Sequence, residues 1–280
     1  RAHKHGQQVN SNYIYFHGMF LDEWHLGIIV SIRKKGASLT EMDNMRGIHN
    51  LSFFRQWYMR CLIPLLETVC EKSLPEEQQG FYKNRRIYTA YMALYALLEK
   101  ARMNGDTLYV AFVDVKKAFP TVRREILWQE LVGLGAPDSL IRACWAAYEG
   151  ARATVRGPEG YGSLFDLLLG TREGGVESPL LFVLFVADLI SILSDVELVD
   201  GPASLAKRPT VALQLADDLA LIAQSAGDLQ RLISQWERYC DQNHQMTQLN
   251  KTEVVIFVPN AQPDSAPAAD VFRYKGNALQ

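Results

Sequence analysis

Residues 211–223 read Val-Ala-Leu-Gln-Leu-Ala-Asp-Asp-Leu-Ala-Leu-Ile-Ala, so two apolar runs meet at an adjacent pair of acids, Asp217 and Asp218. Strand formers on both sides of a two-residue polar break predict a tight β-hairpin with the acids at its turn. Side chains along a strand alternate between faces, and a turn lets one or both carboxylates project from the tip. A second run, Tyr109-Val-Ala-Phe-Val113, lacks polar alternation, as a strand buried on both faces does, and it ends in a third acid, Asp114. If that strand pairs beside the hairpin, the carboxylates converge and repel one another unless a cation neutralises them. Oxygen donors without nearby His or Cys select Mg²⁺ or Mn²⁺. A pair of such ions, about 3.5–4 Å apart, stabilises the attacking and leaving oxygens of phosphoryl transfer. The same spacing also fits a plain acidic turn with Asp114 as a cap, and spacing alone leaves both readings open.

The rest of the chain predicts an α+β plan, a small antiparallel sheet with helices packed on it. Strands are expected at 26–32, 109–113, 253–258 and 271–275, with a hairpin over 151–169. Helices are expected at 52–71, 87–103, 123–132, 138–149 and 228–240. Another is expected over 180–193, opened by Ser178 as N-cap and Pro179 at the first helical position. In the 87–103 helix Tyr88, Tyr91, Met92, Tyr95 and Leu98 recur at helical spacing and are expected to face the core. The four cysteines, Cys61, Cys70, Cys144 and Cys240, form no CxxC pair, which points to a reduced protein without a cysteine zinc site. The longest apolar run, 180–187, is cut by Asp188 and falls far short of the roughly 20 residues of a membrane span. The first residues show neither an initiator Met nor a signal-peptide pattern, and the expectation is a segment of something longer.

A formal charge of -2 argues, taken alone, against a nucleic-acid binder. The charge is polarised, however: residues 1–110 hold 14 Lys and Arg against 10 acids, and residues 111–280 hold 15 against 21. The basic excess lies upstream and the acidic excess surrounds the carboxylates that bound metal would offset.

Eight phrases in one order then resemble a known family. Phe112-Val-Asp-Val-Lys-Lys-Ala-Phe119, Gly170-Thr-Arg-Glu-Gly-Gly-Val-Glu-Ser-Pro-Leu-Leu-Phe182, Leu215-Ala-Asp-Asp218, Asn250-Lys-Thr252 and Phe272-Arg-Tyr-Lys-Gly276 resemble the successive palm motifs of a reverse transcriptase of the non-LTR (LINE-like) retrotransposons. Upstream, Ile32-Arg-Lys-Lys-Gly36, Arg46-Gly-Ile48 and Gly80-Phe-Tyr-Lys-Asn-Arg-Arg86 resemble its fingers motifs. The resemblance implies a right-hand polymerase: an ill-defined stretch at 1–23, fingers with part of the palm over 24–106, and palm over 107–280, ending at a primer-grip-like strand with no thumb. It implies an RNA-directed DNA polymerase that adds dNMP to a primer 3′-hydroxyl on an RNA template. The partners are then RNA template, DNA primer or RNA–DNA hybrid, and dNTP. The setting is intracellular, nucleus and cytoplasm, as a ribonucleoprotein.

Residue roles follow from the same resemblance. Asp114, Asp217 and Asp218 would hold two Mg²⁺ or Mn²⁺ ions, with the backbone of Val115 beside the metal and triphosphate. Phe119 would be the steric gate against a ribose 2′-hydroxyl. Lys34 or Lys35, and Arg46, would contact the triphosphate, where charge-assisted bonds are strong. Glu173 and Gly174 lie in the template- and nucleotide-positioning motif, and Lys251 is the candidate general acid for pyrophosphate. Several positions depart from the family pattern: Leu215 replaces an aromatic, Glu173 a Gln, Asn84 a Gly and Ser31 a Pro, and Pro120 stands where Asp is frequent. None of them removes a metal ligand. An inactive remnant or domesticated binding module is the alternative in a different class. An RNA-dependent RNA polymerase fits less well, because Ala216 stands where such enzymes carry Gly and Phe119-Pro120 replaces their second acid. A group II intron maturase or telomerase shares the palm, but the Lys-Lys-Gly and Arg-Gly-Ile phrases are more LINE-like.

Overall fold

The computed structural model describes residues 12, 14–18, 20–33, 45–198, 203–205, 208–259 and 272–279. Its first elements are α1 (Asp22–His25), β1 (Leu26–Arg33), β2 (Met45–Leu51), α2 (Phe53–Ser73), α3 (Ile87–Asn104) and β3 (Leu108–Val113). There follow α4 (Ala118–Thr121), α5 (Arg124–Gly133), α6 (Asp138–Tyr148), β4 (Arg152–Gly157), β5 (Gly160–Tyr161), β6 (Phe165–Asp166), α7 (Ser178–Phe185) and α8 (Leu189–Ser194). The last are β7 (Ser204–Leu205), β8 (Arg208–Pro209), β9 (Ala212–Leu215), β10 (Asp218–Ala223), α9 (Ala226–Asn243), β11 (Glu253–Phe257), β12 (Arg273–Tyr274) and β13 (Asn277–Ala278). Contacts divide these elements into two compact units, one of residues 1–73 and 119–185, the other of 74–118 and 186–280. Among the described residues no helix is long and apolar enough to cross a membrane.

In the first unit β1 is central, antiparallel to β2 and parallel to β4, which carries β5 and β6. The core gathers α2, α5, α6 and α7; in α7 every residue but Pro179 is buried, so the helix is apolar all round.

In the second unit the sheet runs β11-β3-β10-β9 and is antiparallel throughout. Leu97 of α3 packs with Leu108 and Val110 of β3, Leu213 of β9 and Ile222 of β10. Full burial of one such aliphatic side chain stabilises by about 1.5–3 kcal/mol. α9 buries Leu229, Leu232, Ile233 and Trp236, and its first turn is capped by Ser225 Oγ, which accepts from Asp228 N at 3.3 Å. Along the outer edge of β9 the backbone of 77–79 adds a short parallel pairing: Gln214 N donates to Glu77 O at 2.9 Å and Gln79 N to Gln214 O at 2.7 Å.

Five expectations differ from the structure. The tyrosine stripe of α3 does not face the core: Tyr88, Tyr91 and Tyr95 are 67%, 60% and 48% exposed, and Tyr91 stacks on Tyr95. The face that packs is Ala93, Leu94, Leu97, Leu98 and Ala101, whose smaller side chains let the helix axis approach the sheet, while phenol hydroxyls stay in water. The 180–193 helix is two helices, parted where the turn tightens and Leu189 N reaches back to Val186 O at 3.3 Å. Ser178 is not an N-cap acceptor; it stands inside α7 and its hydroxyl donates to Arg172 O at 2.8 Å. The hairpin turn lies one residue earlier than expected, at Ala216–Asp217, because Asp218 already pairs with Leu215. The strand expected at 271–275 is one arm of the β12–β13 hairpin.

Candidate active site

The one-residue shift of the turn decides which acids meet. β10 runs against β3 with Leu219 opposite Val113, and the next pair in that register sets Asp218 opposite Asp114. Cross-strand partners share a face, so both carboxylates point to one side of the sheet. They line an open pocket of about 350 Å³ with Leu215, with Ile87 and Tyr91 of α3, and with Lys251. Burial first, then the Asp114 charge, raises the Asp218 carboxyl above its usual range, with Lys251 pulling the other way. Lys251 Nζ stands 3.3 Å from Asp114 Oδ2 and is 60% exposed, so the pair is a solvent-screened contact.

Asp114 is held by its backbone. Its N–H donates to Thr252 Oγ1 at 3.4 Å and its carbonyl accepts from Gln248 N at 2.8 Å. Val115, buried, bridges to Thr247, and Lys116 N donates to Met246 O at 2.7 Å. Asp217 sits half-buried at the turn and does not line the pocket. Among the described residues no three acidic, His or Cys side chains form a ready-made metal cage. Asp114 and Asp218 therefore share one pocket, and Asp217 stands next to them in the turn. The pair still suits a hard divalent cation: its donors are all oxygen, and the like charge that raises Asp218 is what such a cation relieves.

The turn itself is strained. Ala216 has φ +58°, a left-handed conformation that costs a residue with a Cβ roughly 1–2 kcal/mol. Its N–H donates to Gln78 Oε1 at 2.9 Å and its carbonyl accepts from Gln214 Nε2 at 2.9 Å. Neither glutamine was singled out by sequence. The signal for each is its place just before a phrase, Gly80–Arg86 for Gln78 and Leu215–Asp218 for Gln214.

The remaining expected residues lie in the first unit or outside the described residues. Lys34 and Lys35 are among the latter. Arg46 is exposed on β2, paired with Ile32. Phe119 is half-buried with its ring stacked on Phe182, centroids 4.8 Å apart. Glu173 O accepts from His49 N at 2.7 Å, and Gly174 O accepts from Gln56 Nε2 at 2.7 Å. The loop holding both is anchored by a buried cluster the sequence did not reveal. Arg124 donates to the carbonyls of Gly170, Tyr148, Leu167 and Leu169 at 2.5–3.1 Å. Arg55, Arg124 and Arg172 each stand within 6 Å of the Tyr148 ring, at 5.6, 5.1 and 5.7 Å. Burial, then the neighbouring Arg55 charge, brings Arg172 down to about 9.

A four-stranded antiparallel sheet, helices packed on it, and two acids meeting beside a hairpin define the palm of a right-hand polymerase. The chain belongs to the reverse transcriptase family: residues 32–276 match the model of "Reverse transcriptase (RNA-dependent DNA polymerase)". Among curated proteins it is similar to Pol polyproteins of retrotransposable elements. The Pol polyprotein of the type-2 retrotransposable element R2DM of Drosophila melanogaster is 29% identical over 137 residues, 49% of this chain and 13% of that protein. The Pol polyprotein of the type-1 element R2 of Popillia japonica is 26% identical over 189 residues, 67% of this chain and 26% of that protein. The chain thus spans about a quarter or less of the relatives it matches. Apo telomerase of Candida tropicalis, truncated from its C-terminal domain, shares the fold at TM-score 0.63 and 16% identity, over 98% of this chain and 58% of that one. A Candida tropicalis telomerase bound to the TWJ fragment of telomeric RNA superposes at TM-score 0.62 and 14% identity, over 95% and 46%.

Proposed function

We propose that this chain carries an RNA-directed DNA polymerase centre, adding dNMP to a primer 3′-hydroxyl on an RNA template. The observation that carries the reading is Asp218 set opposite Asp114 in an open pocket that also holds Lys251. Asp114 and Asp218, with Asp217 at the turn and the backbone of Val115, would hold Mg²⁺ or Mn²⁺. When bound, such ions neutralise the triphosphate and lower the charge barrier to attack by the hydroxyl. Lys251 Nζ, beside Asp114, supplies a proton to the departing pyrophosphate. The roles of Lys34 or Lys35 and Arg46 at the triphosphate, of Phe119 as steric gate, and of Glu173 and Gly174 in positioning rest on the resemblance of their motifs. Fingers over 24–106 and palm over 107–280 are functional divisions in this reading, distinct from the packing units. RNA template and RNA–DNA hybrid are gripped through sugar and phosphate, largely without sequence readout.

The test is primer extension with an RNA template, an oligonucleotide primer, dNTPs and Mg²⁺. Asp114→Asn and Asp218→Asn each abolish extension if the reading holds. Extension that survives both substitutions places the centre elsewhere, and a wild-type chain that never extends favours a domesticated or decayed module.

A further inference from the structure

The turn that carries Asp217 and Asp218 is fixed from outside its own strands. Oε1 of Gln78 accepts from Ala216 N at 2.9 Å and from Gly80 N at 2.7 Å, and Gln78 is 1% exposed. Gln78 Nε2 has no hydrogen-bond partner, so the oxygen is the working end of the side chain. At Gly80 a Cβ would stand 2.3 Å from Ala216 N, a separation that no side chain tolerates. The segment is braced in turn: the Arg85 guanidinium donates to Gln78 O at 2.6 Å, to Leu74 O at 3.1 Å and to Pro75 O. Together with the pairing of 77–79 along Gln214, this is a clamp built on one amide oxygen and one glycine.

We propose that Gln78 is a positioning residue of the polymerase centre. By accepting from the Ala216 amide it holds a backbone that alanine otherwise disfavours, and that backbone sets Asp218 opposite Asp114. The inference rests on the polymerase reading above, and it assigns Gln78 no contact with substrate. An acceptor at this place also satisfies two buried N–H groups that have no alternative partner once it is removed. The strain at Ala216 and the clamp belong together: a turn free to relax would carry Asp218 out of register with β3.

The experiment replaces Gln78 by Met in the full chain, which keeps the length and removes the acceptor. Two readouts are taken: hydrogen exchange at the Ala216 amide, and kcat and KM for dNTP on an RNA template. Exchange at Ala216 is expected to speed up at least tenfold. The kcat is expected to fall at least tenfold, with KM for dNTP within twofold. Gln78→Glu, which restores an oxygen acceptor, is expected to recover protection at Ala216. If Gln78→Met does not fold, Gln78→Asn carries the same test, since it keeps the amide and draws the acceptor back from Ala216 N by one methylene. Wild-type exchange or wild-type kcat in the variant that removes or withdraws the acceptor overturns the proposal, as does Gln78→Glu that leaves Ala216 unprotected. A wild-type chain that extends no primer overturns the polymerase reading instead, and exchange at Ala216 then decides the clamp by itself.

Discussion

Arg55 Nη2 meets Glu177 Oε1 at 2.6 Å, and neither side chain is reached by solvent. The Tyr148 hydroxyl donates to the same oxygen at 2.8 Å. Burial alone would raise the Glu177 carboxyl; the Arg55 charge and hydrogen bond outweigh it and hold the group below the ordinary carboxylate range. Removing one partner strands the other charge in the core, so Arg55→Ala or Glu177→Ala is expected to cost about 3–5 kcal/mol. Urea denaturation measures it. The double replacement Arg55→Met with Glu177→Leu should cost much less than the two singles added, since no charge is left unpaired.

Acid should weaken the first unit in two stages. His49 is held down at about 4, first by burial and then by the nearby Arg172 charge. Between pH 6.5 and 4 the unfolded imidazole binds a proton that the folded one refuses, so stability falls as pH drops through that window, by no more than about 3 kcal/mol. Glu177, with its lowered value, adds a second loss at still lower pH, as its carboxylate is finally protonated in the folded state. Unfolding midpoints across pH should flatten in the upper window for His49→Phe and keep the lower stage. An unchanged curve would remove His49 from the account.

Lys251 separates charge from proton donation. Lys251→Ala is expected to lower the rate of nucleotide addition by about 10²–10⁴-fold, the usual range for loss of a general acid. Lys251→Arg keeps a cation beside Asp114 but holds its proton too tightly to give it up. If the arginine variant matches wild type, Lys251 merely offsets the Asp114 charge.

Gly174 has φ +109°, and a Cβ there would lie 2.6 Å from His49 O. Gly174→Ala is therefore expected to destabilise by about 1–3 kcal/mol in thermal unfolding. Gly133 is the control. It ends α5 with open space around a Cβ, and Gly133→Ala should gain about 0.5–1 kcal/mol.

Periodicity made the helices and the β3 and β10 strands readable, because each is carried by a local pattern. The acids Asp114 and Asp218 were visible for the same reason: an apolar strand that ends in an acid is conspicuous. Which acid would face which was not, since that depends on a turn beginning at Ala216, where alanine gives no warning of a left-handed backbone. The α3 tyrosines misled because the helix has two apolar faces, and the sheet selects the one with alanines. Gln78 and Ala216 are 138 residues apart, and Arg55 and Glu177 are 122 apart. No window along the chain contains such pairs. Lys34 and Lys35 fall outside the described residues.

The order of strands in the second sheet also bears on synthesis. β3 lies between β10 and β11, yet its neighbours follow it by more than a hundred residues. A nascent chain emerging from the ribosome presents the apolar β3 long before either partner exists, and at about 5–20 residues per second that interval lasts several seconds. Closing so long a loop is entropically slow, and until then an unpaired apolar strand is open to aggregation. β3, an inner strand of the palm sheet, is thus an apolar stretch that a chaperone would shield while the chain is being made.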